Sequence, residues 1–140
     1  MKKIYGTLID RTMKIIRSTY TETFKRIGAD ITTEQWVILD ALYHEDSQSL
    51  TGLSEGIYKN VATVSRIIDL MTKKGLVKKI RTSSDKRRYS IALTAKGQKL
   101  FEKVEPEVKR LRTSGWKGLS EKDYEAFKMI IDKVYANFKH

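Results

Sequence analysis

The stretch SLTGLSEGIYKNVATVSRIIDLMTKKGLVKKIRTSSDKRRYSIALT, residues 49–94, contains two short helical patterns followed by two strand-like ones. Ser49 is placed to cap the first helix, and Asn60 is placed to cap the second. The second helix turns four apolar residues to one side, Val64, Ile67, Ile68 and Met71. Gly75 ends this pattern. We therefore predict two helices joined by a tight turn near Tyr58.

Two short alternating segments follow the second helix, LVKKIRT at 76–82 and RYSIALT at 88–94. They are rich in Val, Ile and Tyr and are separated by the polar segment SSDKR, which is the pattern of a β-hairpin. A hairpin directly after a helix-turn-helix is a wing. The predicted tip carries four consecutive charged residues, Asp85, Lys86, Arg87 and Arg88.

Positive charge is concentrated around this stretch. The 140-residue chain has a formal net charge of +11, and residues 57–90 contain ten Lys or Arg against two Asp, a net charge of +8. A basic block in a chain that is otherwise close to neutral indicates a polyanionic partner, because cations near phosphates release condensed counterions. The alternative is a basic face that is merely solvated.

The start of the second helix favours DNA as that partner. Ala62, Thr63, Ser65, Arg66 and Asp69 are predicted to point outward. Small polar residues let a helix approach the major groove closely, and arginine can form two hydrogen bonds with guanine. The wing tip can then reach the adjacent minor groove. The alternative is an ordinary surface helix, on which exposed Ser and Thr are also common.

The segment ATVSRIIDLMTKKGLVKKIRTSSDKRRYSIALTAKGQKL, residues 62–100, resembles the signature region of the MarR family of bacterial winged helix-turn-helix regulators. TTEQWVILDAL, at 32–42, is similar to the second helix of that family. Four motifs occur in family order: Thr63-Val64-Ser65-Arg66, Gly75-Leu76-Val77, Asp85-x-Arg87 and Leu93-Thr94-x-x-Gly97. The resemblance implies a mainly α fold with a small β-wing, a helical dimerisation region and a transcriptional regulator, here interpreted as a repressor.

The resemblance also implies roles for individual residues. Arg87 matches the wing arginine and is expected in the minor groove, while Asp85 is expected to hold it by an ion pair. Lys86 and Arg88 are expected to add general attraction. The candidate DNA-binding residues are Ser49, Asn60, Ala62, Thr63, Ser65, Arg66, Lys73, Arg81, Asp85, Lys86, Arg87 and Arg88. The chain departs from the family in the turn at 56–59 and at Lys79, where an arginine is common.

The helices at both ends of the chain predict a homodimer. Wide apolar stripes run along residues 4–27, along a helix that starts after Thr94 and is expected to kink at Pro106, and along a helix capped by Ser120. We expect one domain over 1–140, with dimerisation helices at 1–30 and 95–140 around a winged helix-turn-helix at 31–94. The alternative is a monomer with an internal helical core. A two-fold dimer predicts a pseudopalindromic DNA operator.

Other functional classes find little support. With no cysteine, disulfides, thiolate metal sites and thiol redox switches are excluded. No long apolar run or signal peptide occurs, which predicts a soluble, cytoplasmic protein. Motifs for phosphate loops and nucleophile elbows are missing, so we expect no enzyme, no cofactor and no metal; the triplet His44-Glu45-Asp46 is better explained as a solvated loop.

A small-molecule effector is the remaining expectation. Regulators of the resembled family commonly bind aromatic or phenolic ligands between the dimer helices and the winged domain, and Tyr20 and Trp36 are candidates to line such a cleft. Core packing is the favoured explanation of both residues. A constitutive architectural or RNA-binding protein without an effector stays open as an alternative function.

Overall fold

The computed structural model describes residues 2–81 and 88–139, which form six helices and one three-stranded antiparallel sheet. The elements are α1 (Tyr5–Arg26), α2 (Thr33–His44), β1 (Gln48–Ser49), α3 (Leu50–Gly56), α4 (Val61–Lys73), β2 (Val77–Arg81), β3 (Tyr89–Leu93), α5 (Ala95–Gly115) and α6 (Glu121–Phe138). The chain divides between Glu107 and Val108 into two compact units. The predicted mainly helical class with a small β-wing is confirmed.

Side-chain caps set the starts of α2, α3 and α4, as the sequence predicts, whereas α1 begins without one. Thr32 and Gln35 bond reciprocally at the start of α2, with the Thr32 hydroxyl accepting from the Gln35 backbone N–H at 3.1 Å. The hydroxyl of Ser49 accepts from the backbone N–H of Gly52 at 3.0 Å. The side-chain oxygen of Asn60 accepts from the backbone N–H of Ala62 at 2.8 Å and so begins α4.

The sheet has the order β1-β3-β2. β2 and β3 form the predicted hairpin, in which Val77 is opposite Leu93 and Arg81 is opposite Tyr89. β1 pairs with the other edge of β3, and this third strand was not expected from the sequence. β3 is therefore the central strand and is paired along both edges.

The core of the first unit lies between α2, α4, the sheet and α5. An aromatic group forms one side of it, where the ring of Trp36 stacks on that of Phe101 at 5.1 Å between centroids and the ring of Phe24 lies 6.4 Å from Trp36. The four predicted inward residues of α4, Val64, Ile67, Ile68 and Met71, are all buried. Their burial supplies the main favourable contribution to docking α4 against the domain.

The junction between β3 and α5 explains the motif Leu93-Thr94-x-x-Gly97. The Thr94 hydroxyl donates to the carbonyl of Gly75 at 2.6 Å and accepts from the backbone N–H of Gly97 at 3.0 Å. A Cβ atom on Gly97 would lie 2.1 Å from the carbonyl oxygen of Leu76, so no larger residue fits without a shift of the backbone. α5 then runs without interruption through Pro106, where the sequence predicts a kink.

The terminal helices carry much apolar surface. In the single chain α6 has no buried residue, and its exposed side chains include Tyr124, Phe127, Met129, Ile130, Tyr135 and Phe138. Within the second unit, the Trp116 ring contacts Tyr124 and Phe127. α1 likewise exposes Tyr5, Leu8, Ile9, Met13, Ile15 and Ile16. Over the residues described, no helix combines the length and apolar character that a membrane crossing requires.

Candidate nucleic-acid interface

One face of α4 is exposed along its whole length. Ala62, Arg66, Asp69 and Lys73 recur at intervals of three or four residues, share this face and are all exposed. Thr63 and Ser65 lie beside it and are half-buried. The face is opposite the buried stripe of the helix, so it is free to enter a groove without disturbing the core.

The electrostatics at the start of this face suit an anion. The first turns of both α3 and α4 contain no acidic residue, whereas those of α2 and α6 do. The unpaired N–H groups of a helix N-terminus carry partial positive charge. Ser49 and Asn60 use their side-chain oxygens as caps here, so the structure gives both candidates a positioning role at these two N-termini.

An ion pair connects the exposed face of α4 to the hairpin. The Lys79 ammonium on β2 donates to a carboxylate oxygen of Asp69 at 2.9 Å and lies 4.9 Å from the centre of the Tyr89 ring on β3. The hydrogen bond from Lys79 to Asp69 raises the pKa of Lys79 above its ordinary value of 10.5, against a smaller lowering by desolvation. One lysine thus contacts both α4 and β3.

The remaining basic candidates extend the same region. Lys73 is exposed at the end of α4, Arg81 is exposed at the end of β2, and Arg88 is exposed immediately before β3. Lys78 on β2 is exposed as well. The candidates Asp85, Lys86 and Arg87 lie outside the described residues. The described part of the hairpin therefore presents basic side chains beside a helix whose start carries no acid.

The two candidate effector residues have different environments. Trp36 is 3% exposed and packs between Phe24 and Phe101, which leaves almost no surface of this side chain for a ligand. Tyr20 is half-buried, with its ring edge-on to Phe24 at 6.1 Å. Trp36 is thus a core residue, in line with the favoured interpretation, and Tyr20 alone of the pair retains accessible surface.

A cleft lined by several lysines was not predicted from the sequence. An open cleft of about 450 Å³ lies at the ends of α1 and α4, lined by Gly28, Asp30, Lys73, Lys74, Leu76, Lys96 and Leu100. The Lys74 ammonium donates to the backbone carbonyl of Asp30 and to the Gln35 side chain, and that of Lys96 donates to the carbonyl of Lys74. These lysines bond carbonyls near helix C-termini, where cations are favourable. The positions of Lys74 and Lys96 in the cleft are therefore explained by their hydrogen bonds within the fold.

Comparisons with known proteins agree with this geometry. Residues 31–89 match the model of the MarR family. The chain is similar in structure to S. aureus MepR in its complex with DNA, with a TM-score of 0.88 and 23% identity over 99% of this chain and 100% of that one. It is also similar to Bordetella bronchiseptica BpsR, whose DNA binding is regulated by 6-hydroxynicotinic acid, with a TM-score of 0.83 and 22% identity over 96% and 94% of the two chains.

A third similar structure is the regulator PcaV from Streptomyces coelicolor in complex with its natural ligand. Its TM-score is 0.81, with 19% identity over 96% of this chain and 93% of that one. At these identities the likeness establishes the fold. The fold spans nearly the full length of all three chains.

Proposed function

Because residues 31–89 match the model of the MarR family and the chain shares the fold of the MepR structure, we propose that it belongs to this family of winged helix-turn-helix DNA-binding regulators and is a sequence-specific transcriptional repressor. It binds a pseudopalindromic operator as a homodimer and is released by a small-molecule effector. The observation that carries the proposal is the exposed face of α4, which starts without an acidic residue and lies next to basic strands. A protein that acts on the chromosome in this way works in the cytoplasm.

In this proposal α4 enters the major groove. Ala62 allows close approach, and the guanidinium of Arg66, exposed one turn further along, pairs with the edge of a guanine. Thr63 and Ser65, which are half-buried at the side of the face, bond phosphates or base edges. Asp69 is not assigned a DNA contact, because its carboxylate accepts a hydrogen bond from the Lys79 ammonium.

The hairpin supplies the second contact. Arg87 enters the minor groove, where narrow A·T-rich DNA attracts arginine, and Asp85 holds it by an ion pair. Lys73, Arg81, Lys86 and Arg88 are assigned to phosphates. Contacts of this kind position the protein on the duplex and contribute to affinity without reading sequence.

The terminal helices provide the dimer. We assign residues 1–30 and 95–140 to dimerisation and residues 31–94 to DNA binding, within one functional domain. Support comes from α6, which buries no side chain in the single chain, and from the row of exposed apolar residues on α1. A second copy is the occupant that would cover both. Two recognition helices related by a two-fold axis then read half-sites about 34–36 Å apart.

The effector is proposed to be a small aromatic or phenolic molecule. The support is that BpsR and PcaV, which share this fold, respond to or bind small ligands. Here Tyr20 is the better candidate contact, because Trp36 is buried in the core. The alternative is a constitutive or architectural DNA-binding protein without an effector. No catalytic role is assigned.

The decisive experiment is a selection of duplex DNA from a random-sequence pool by the wild-type chain. We expect enrichment of an inverted repeat whose half-sites are one helical turn apart, and footprinting of two adjacent major grooves. Affinity for the selected duplex should fall steeply with salt, by about 0.9 log units per log unit of salt for each phosphate contact. Recovery of unrelated sequences with a similar salt response would favour the architectural alternative.

The effector is tested separately on the same complex. Simple phenolic and aromatic carboxylic acids are titrated into the complex of the chain with the selected duplex, and release is followed by fluorescence anisotropy. Release by one class of ligand, with a reciprocal loss of ligand affinity when DNA is present, is the expected outcome. Tyr20→Ala should weaken the ligand response and leave DNA binding unchanged.

A further inference from the structure

The helix proposed for the major groove begins with an exposed apolar side chain. Val61 is the first residue of α4 and directly follows the cap Asn60. α4 lies wholly within the residues that the structure describes, and two of its large apolar side chains are exposed, Val61 at 43% and Leu70 at 50%. The inward stripe of the helix starts only at Val64, which is fully buried. Val61 therefore lies beyond the buried core, at the leading end of α4.

The direction of this side chain follows from helix geometry. Every Cα–Cβ bond of an α-helix is tilted toward the N-terminus, so the methyl groups of Val61 point ahead of the helix. The neighbouring Asn60 uses its side-chain oxygen to cap the N–H of Ala62, and Ala62 exposes only a methyl group. The first turn contains no acidic residue. The leading end of α4 thus presents apolar surface together with the positive end of the helix dipole.

The major groove offers one apolar group to such a surface. A recognition helix contacts base edges with its N-terminal residues. Among the four bases only thymine displays a methyl group in this groove, on C5. Leu70 is the less suitable partner, because it lies in the third turn of α4 and so further from the end that reads bases. Val61 is the large apolar residue placed where a thymine methyl would be met.

The chemistry of valine suits this contact. Branching at Cβ restricts the side chain largely to one rotamer in a helix, so little conformational freedom is lost when it packs against a base. A methyl–methyl contact removes apolar surface from water on both partners. It complements Arg66, whose guanidinium recognises hydrogen-bond acceptors and cannot distinguish a thymine from a base that lacks only the methyl group.

We propose that Val61 is a specificity-determining residue that packs against the C5-methyl group of a thymine in each half-site of the operator. This assignment rests on the proposed function and specifies part of the sequence that it reads. Because the methyl group belongs to one strand, the contact distinguishes a T·A pair from an A·T pair as well as from G·C and C·G.

The test removes the methyl group from the DNA. In the duplex that the wild-type chain selects from a random pool, each thymine of a half-site is replaced in turn by deoxyuridine, which pairs identically but lacks the C5-methyl. We expect wild-type affinity to fall about fourfold at one thymine. The slope of log affinity against log salt should not change, since no phosphate contact is lost.

The protein side of the contact is tested on the same pair of duplexes. Val61→Ala should bind the thymine and deoxyuridine duplexes with equal affinity, whereas Val61→Ile, which keeps a branched apolar side chain, should retain the difference. A merely structural role would weaken binding to both duplexes by one factor and leave their ratio unchanged. Circular dichroism checks that the variants fold.

Val37→Ala is the matched control. Val37 is 37% exposed on α2, and its truncation removes the same two methyl groups away from α4, so the fourfold ratio should persist. Wild-type binding that is insensitive to deoxyuridine at every position would overturn the assignment, as would a Val61→Ala protein that still discriminates. Failure of the proposed function is distinguishable, because the wild-type chain would then enrich no inverted repeat.

Discussion

The carboxylate of Asp69 on α4 accepts a 2.9 Å hydrogen bond from the ammonium of Lys79 on β2. This ion pair joins the helix proposed for the major groove to the middle of the first strand of the hairpin proposed for the minor groove. Lys79 stands where the resembled family often has an arginine, and a single ammonium makes one directed contact where a guanidinium can make two. The hydrogen bond is one of several contacts between helix and hairpin, beside the backbone bonds of Gly75 and Leu76 to the end of α4 and the buried Leu76 and Val77.

Loss of the ion pair between Asp69 and Lys79 should lower the free energy of unfolding slightly and the affinity for DNA by more. Both side chains are partly exposed, so Asp69→Asn should lower the free energy of unfolding by about 0.2–1 kcal/mol. Affinity for the selected operator should fall further than this, because two contact surfaces lose their common orientation. Urea unfolding and fluorescence anisotropy measure the two quantities. Equal losses in both would show that the pair does not orient the hairpin.

The same pair gives stability a specific dependence on pH. Because Asp69 raises the pKa of Lys79, the folded chain holds this proton more tightly than the unfolded chain does. The stability that the ion pair contributes is fully present below the ordinary lysine pKa of 10.5. It is lost as the pH rises through the higher pKa of Lys79 in the folded chain. The free energy of unfolding, measured with urea from about pH 8 to about pH 11, should therefore fall less steeply with pH in Asp69→Asn than in the wild type. In a Lys79→Gln background the Asp69 change should have no such effect.

Arg66 should determine base preference. We expect Arg66→Ala to reduce operator affinity by about 1–3 kcal/mol and to relax selectivity at one base pair of each half-site. Lys73→Ala, at a residue assigned to phosphates, should weaken binding to all sequences alike and reduce the salt slope by about 1. Lys122→Ala, on α6, is the control and should change neither. A uniform loss across sequences in Arg66→Ala would assign that residue to phosphates instead.

Arg87→Ala should abolish operator binding while leaving the dimer folded. This expectation rests on the motif Asp85-x-Arg87 in the sequence, since both residues lie outside those that the structure describes. Lys86→Ala, which removes a neighbouring charge outside the motif, should retain most of the affinity. Circular dichroism and sedimentation confirm that the variants fold and dimerise. Retained affinity in a folded Arg87→Ala protein would contradict the assignment of the wing.

Gly97→Ala should destabilise the first unit by about 1–3 kcal/mol or more, because its new methyl group would overlap the Leu76 carbonyl. Gly56→Ala is the matched control, since a Cβ atom there meets nothing within 4 Å. Chemical denaturation of both proteins measures the difference. A Gly97→Ala protein as stable as the control would show that the junction between β3 and α5 relaxes without cost.

Ile130→Glu should convert the proposed dimer into monomers. The residue is exposed on α6, which buries nothing in the single chain, and a carboxylate there would be forced into an apolar interface. Glu125→Lys, on the same helix, should keep the dimer. Sedimentation equilibrium measures both masses. A wild-type chain that is monomeric at micromolar concentration would remove the basis of the prediction.

Sequence patterns were sufficient to predict the features that depend on residues close together in the chain. The caps at Thr32, Ser49, Asn60 and Ser120 each involve residues two or three positions apart, so reading them requires no knowledge of the fold. The inward residues of α4 follow from helical spacing alone. The hairpin strands were likewise evident from their alternation.

Features that depend on distant residues were not predictable. β1 has two residues, too few to show alternation, and exists because β3 offers a free edge. The contact of Gly97 with Leu76 joins residues on either side of the hairpin. The left-handed backbone of Tyr58 contradicts residue preference and is visible only in the turn itself.

The central position of β3 has a mechanical consequence. At one end of this strand only Thr94 separates it from α5, and along one edge it is bonded to β1, which continues into α3 at Leu50 with no residue between them. The first turn of α5 is therefore connected to the start of α3 through a hydrogen-bonded sheet. We therefore expect the sheet to couple displacements of α5 and α3.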